Sequence, residues 1–155
     1  MGERPKKTAF ESALGYLSLR DAPLKTIREY LQKKGFSQEE IEGAAEKLME
    51  HGIVKEGEYA KRFVETHPSA GPRLLRQKLR QKGLSDEDTR AALEEIGPEE
   101  EAERAFKLLC KKLGEAPSAE ALQKGAQTLL RRGFSYAAAR SAAKRLGDET
   151  LFEEE

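Results

Sequence analysis

Lys34-Gly35-Phe36-Ser37, Lys82-Gly83-Leu84-Ser85 and Arg132-Gly133-Phe134-Ser135 are three versions of one phrase, and they decide the fold. In each, a cation ends a helix, a glycine stops it, an apolar residue turns inward and a serine opens the next helix. Glycine at the position after a helix takes the left-handed conformation without steric cost, and a cation in the last turn suits the carbonyl end of the helix dipole. Ser37 and Ser85 read as caps, with Glu40 and Asp88 three residues on, where a glutamate completes a capping box. Ser135 has Ala138 there instead, so its box lacks the acid.

Apolar positions keep phase with the glycines, which are 48 and 50 residues apart. Leu31, Leu79 and Leu129 stand four residues before them. After them come Ile41, Ala44, Ala45 and Leu48; Thr89, Ala92, Leu93 and Ile96; and Ala139, Ala142, Ala143 and Leu146. That spacing is one helical face, repeated three times. Thr89 is its single polar intruder.

A further helix precedes each pair: Phe10, Ala13, Leu14 and Leu17 stripe the first, Tyr59, Ala60, Phe63 and Val64 the second. Ala102, Ala105, Phe106, Leu109 and Leu113 stripe the third, which starts at Pro98. The expectation is an all-α tandem array of three three-helix repeats, nine helices in all, elongated and curved. The repeats fall at 9–54, 55–97 and 98–147, between a flexible start at 1–8 and an acidic tail at 148–155.

Composition agrees. Ala, Leu, Glu, Lys, Arg and Gln dominate the 155 residues, and the alternating runs of a half-buried strand are absent. One cysteine makes no internal disulfide, and no stretch nears the ~18 apolar residues of a membrane span. Neither a secretory signal nor a myristoylation pattern is present at the start, so the chain reads as a soluble cytoplasmic protein.

The balance of 28 Lys+Arg against 28 Asp+Glu hides segregation. Residues 73–82 carry Arg73, Arg76, Lys78, Arg80 and Lys82 without an acid. Residues 86–103 carry nine acids and one base, Arg90. Residues 121–147 carry Lys124, Arg131, Arg132, Arg140, Lys144 and Arg145, again without an acid. A basic face built from Arg73, Arg76, Arg80, Lys82, Lys124, Arg131, Arg132, Arg140 and Lys144 suits a polyanion or an acidic partner. The Glu99-Glu100-Glu101 block complements the dipole of its own helix.

Signs of catalysis are lacking: no phosphate-binding glycine loop, no nucleophile elbow, and His51, His67 and Cys110 too scattered for a metal site. His51 reads as a helix-end residue, Cys110 as a small apolar one, and the aromatics as core, with Tyr136 the freest. The sequence therefore predicts no enzyme, no metal and no cofactor.

With these residues in view, the chain resembles the RecX family, bacterial regulators of the RecA recombinase. The resemblance rests on Ala13-Leu14-x-x-Leu17-x-x-Arg20, on Leu31-x-x-x-Gly35-Phe36, and on Leu48-x-x-x-Gly52-Ile53-Val54 leading to Glu58-Tyr59-Ala60-x-x-Phe63-Val64. It continues through Leu79-x-x-Lys82-Gly83-Leu84 and Leu130-x-Arg132-Gly133-Phe134, covering about residues 9–147. Glu56 stands where family members carry an acid, commonly Asp, before the Tyr-Ala pair. Asp21-Ala22-Pro23-Leu24 replaces the usual Ser or Thr with an acid at the second helix.

The resemblance implies tandem three-helix repeats, a RecA–single-stranded DNA filament as partner, and damped ATP hydrolysis, strand exchange and co-protease activity in recombination and SOS repair. It implies a curved array lodged in the filament groove, acting as a monomer. A direct DNA-binding module, with at most weak contact by a near-neutral chain, is the second reading, and an uncommitted helical scaffold the third.

Overall fold

The computed structural model describes residues 7–153, with side chains as far as Asp148. Nine helices and no strands occur among the described residues: α1 (Ala9–Leu17), α2 (Leu24–Lys33), α3 (Gln38–Glu50), α4 (Glu56–Thr66), α5 (Pro72–Gln81), α6 (Asp86–Glu94), α7 (Pro98–Leu113), α8 (Ala119–Arg131) and α9 (Tyr136–Glu153). Helices pack extensively only within the triplets α1–α3, α4–α6 and α7–α9.

Each triplet has its own core. Ala13, Ile27, Leu31 and Leu48 centre the first, Ala60, Leu75 and Leu79 the second, and Ala105, Leu109 and Leu129 the third. The accessible surface, 10433 Å², exceeds the ~7,800 Å² of a compact monomer of this length. Three small cores in series leave more surface than one shared core, and the array is elongated.

The repeated phrase folds as read. Gly35, Gly83 and Gly133 have φ of 94°, 85° and 90°. The amides of Phe36, Leu84 and Phe134 return to the carbonyls of Leu31, Leu79 and Leu129. Ser37 and Glu40 form a complete capping box, whereas Ser85 caps the Asp88 amide alone. At Ser135 the missing acid comes from another helix: the Ser135 N–H donates to Glu101 Oε1 of α7 at 2.6 Å. The acidic block of α7 thus does more than complement its own dipole, since Glu103 also pairs with Arg145 at 2.7 Å.

Two expectations at the ends need correcting. Thr8, placed in the flexible start, is the N-cap of α1 in a full capping box with Glu11, whose carboxyl is held below its ordinary pKa by the Thr8 backbone amide and then the hydroxyl. Helix α9 runs to Glu153, past residue 147 where the third repeat was expected to end, because no glycine turn or proline stops it. Residues 1–6, the side chains of 149–153 and all of Glu154 and Glu155 lie outside the described residues.

Candidate functional site

The basic residues singled out above do not form one face. On α5, Arg76 and Arg80 share a side, because residues four apart nearly eclipse. With Arg90 of α6 they line a cleft of about 360 Å³ that also holds Asp86 and Thr89. Arg80 Nε lies 3.3 Å from Asp86 Oδ1, while among the described residues no ion pair engages Arg76 or Arg90. Thr89 is 2% exposed and its hydroxyl has no hydrogen-bond partner.

Lys82 departs from that group. It sits about a third of a turn round from Arg76 and, with Lys78, lines a separate cleft of about 610 Å³. Lys82 Nζ lies 5.6 Å from the centroid of the Phe63 ring. Arg62 and Asp21 close this cleft through two contacts of 2.9 Å. The His67 ring stacks on Phe63 at 3.8 Å, its Nδ1 2.7 Å from the Phe63 carbonyl.

Arg73 and Arg132 are occupied in joining repeats two and three. Arg132 Nε donates to the Ser69 carbonyl at 2.8 Å and Arg73 Nη2 to the Leu130 carbonyl at 3.4 Å. Lys124 pairs with Glu120 at 3.3 Å and Arg131 donates to Thr128 Oγ1. Arg140 and Lys144 rim an apolar cleft of about 420 Å³ between α8 and α9, walled by Leu122, Leu130 and Tyr136. Tyr136 is 68% exposed, in line with its reading as the freest aromatic.

Both junctions follow one geometric rule. Lys25 and Arg73, each ten residues before a repeat glycine, meet the glycine turn of the following repeat. Lys25 Nζ donates to the Gln81 carbonyl at 2.8 Å, and a Cβ on Gly83 would lie 2.8 Å from the Lys25 Cβ. At the second junction the Gly71 and Arg73 amides donate to the Arg132 and Gly133 carbonyls at 2.8 and 3.1 Å. A Cβ on Gly71 would sit 2.5 Å from the Gly133 carbonyl carbon, and one on Gly133 would overlap the Leu74 amide. Gly35, in the first triplet, faces open space.

Two junction residues escaped the reading of the sequence. Arg104, one base at the end of an acidic run, places Nη2 within 3.3, 2.8 and 3.2 Å of the Val64, His67 and Ala70 carbonyls, closing the end of α4. Burial lowers its pKa. Glu56, in the first turn of α4, is half-buried beside the start of α2. Burial first, then Asp88, raises the Glu56 pKa, and its Oε2 is buried without a partner among the described residues. The acid before the Tyr-Ala pair therefore sits as a half-buried carboxyl at the first junction, a setting invisible in a linear reading.

These features define an all-α tandem repeat whose charged side chains are divided among clefts on and between its modules. Family models described as the first, second and third three-helix domains of RecX match residues 9–48, 56–93 and 99–143 in order. The chain belongs to the RecX family. Regulatory protein RecX of Streptococcus pneumoniae strain CGSP14 is 36% identical over 134 residues, 84% of this chain and 52% of that protein. The same-named protein of strain Hungary19A-6 is 34% identical over 141 residues, 88% and 55%. The chain thus spans about half the length of these relatives.

Among solved structures, RecX from Lactobacillus salivarius aligns with a TM-score of 0.77 at 25% identity, covering 89% of this chain and 94% of that one. A second, described as regulatory protein RecX, aligns at 0.75 and 31% identity, covering 90% and 71%. No helix among the described residues is long and apolar enough to cross a membrane.

Proposed function

We propose that this chain is a non-catalytic regulator that binds the RecA filament on single-stranded DNA and damps its ATP hydrolysis, strand exchange and co-protease activity. The observation that carries this reading is the presence of all three RecX domains, in order, on one chain. An elongated array presents a long surface to a repeating partner. Arg76, Arg90, Arg140 and Lys144, which make no ion pair among the described residues, are the groups we assign to the contact with the filament. Arg73 and Arg132 are reassigned to holding the array together. The chain acts in this reading as a monomer in the cytoplasm, without metal or cofactor.

Reversing Arg76 and Arg140 to Glu should weaken inhibition of RecA-catalysed ATP hydrolysis at least tenfold with an unchanged melting temperature. Undiminished inhibition would remove these side chains from the contact. Direct DNA binding is the second reading, favoured by the arginine cleft of α5 and α6. Phosphate-dominated binding collapses between low and physiological salt, so filament inhibition that persists at physiological salt separates the two.

A further inference from the structure

The cleft between the first and second modules has a chemistry of its own. Lys78 and Lys82 enter it from the end of α5, both half-buried and neither in an ion pair, whereas Asp21, the carboxylate in its wall, is already held by Arg62. Part of the cleft is held in place before any ligand arrives. Asp21 fixes the Arg62 guanidinium, Lys82 lies over Phe63, and His67 is locked by its stack and by the Phe63 carbonyl.

Preorganised donors lose little entropy on binding. Two ammonium groups one helical turn apart suit an oxyanion that accepts from several directions, as a phosphate does. The volume, about 610 Å³, falls within the range of small-molecule sites, and Tyr59 and Phe63 give it an apolar wall. It is thus large enough for more than a bare ion.

We propose that this cleft is a nucleotide-phosphate site, with Lys78 and Lys82 holding the phosphate. The site is separate from the cations assigned to the filament and does not rest on that assignment. A free nucleotide and a nucleotide within a nucleic-acid strand present the same phosphate chemistry.

The test is calorimetric titration of the full chain, without recombinase, with ATP, with a 20-residue oligothymidylate and with a glutamate oligopeptide. We expect ATP or the oligonucleotide to bind with a Kd below about 1 mM. The Lys78→Gln/Lys82→Gln variant should lose at least tenfold, the Lys78→Arg/Lys82→Arg variant should retain binding, and Lys111→Gln/Lys112→Gln, at two exposed positions near the end of α7, should leave it unchanged. ATP binding points to a free nucleotide, and binding of the oligonucleotide alone to a strand. Absence of binding to either phosphate probe, binding of the peptide alone, or equal binding by a folded Lys78→Gln/Lys82→Gln variant overturns the proposal. Thermal melts of each variant verify folding, and since no recombinase is present, failure here leaves the filament reading untouched.

Discussion

The two junctions of the array use equivalent positions and different chemistry. Between modules one and two the contacts are made largely by side chains: Lys25 on a carbonyl and Arg62 on Asp21. Between modules two and three the backbones meet, Gly71 against Gly133, with two amides donating across and with Arg104 and Arg132 on the carbonyls of the connector. Side-chain pairs that are half exposed yield under salt and thermal motion. Backbone bonds flanked by glycines leave no room to slide. The first junction is the adjustable one and the second is fixed.

The glycines give the largest way to break this comparison. At Gly133 an alanine meets both a positive φ and the Leu74 backbone, so we expect a loss of about 3 kcal/mol or more, with modules two and three melting apart. Gly83→Ala meets the Lys25 side chain and should cost less. Gly35→Ala, facing open space, should cost about 1 kcal/mol from backbone strain alone. Urea unfolding of the three variants checks the order, and equal losses at Gly35 and Gly133 would contradict a backbone-locked second junction.

Next come the arginines. Arg104→Met strands three carbonyls and should lower stability by about 2 kcal/mol. Arg62→Met removes one half-exposed ion pair and should cost under about 1 kcal/mol, with the cost vanishing in high salt. Thermal melts at two salt concentrations test both. If the Arg62 variant loses as much as the Arg104 variant, the junctions are alike.

The smallest effect is expected at Glu56. Burial raises its folded pKa above the unfolded value, so the folded state holds the proton more tightly. Its contribution is therefore favourable at pH below the unfolded pKa and is lost as pH rises through the raised value. Glu56→Gln keeps the shape of the side chain and removes the half-buried charge. It should leave stability at pH 7 unchanged or slightly higher, and the difference from the parent should shrink toward pH 4. A variant less stable than the parent at pH 7 would mean that the charge itself holds the junction.

Much of the fold was legible because local chemistry wrote it. The three glycines, their cations and the helical phase of the apolar residues each act within about a dozen residues, and the structure places them as read. The role of Thr89 was half legible: its intrusion stood out, but its lack of a partner did not. The junctions were not legible, since Lys25 and Arg104 act on carbonyls 34 or more residues away across a module boundary, and within module three Glu101 reaches Ser135 at a similar remove. The basic face failed for the same reason. Charge counted along a chain does not record that Lys82 turns away from Arg76, or that Arg73 and Arg132 are consumed by carbonyls.

The central claim concerns regulation, and the most direct measurement is ATP hydrolysis by RecA on single-stranded DNA, titrated with this chain at physiological salt. The account predicts inhibition at far less than one copy per recombinase subunit, because a long array acting on a filament affects many subunits at once. Unchanged hydrolysis at stoichiometric amounts of the folded chain would contradict it.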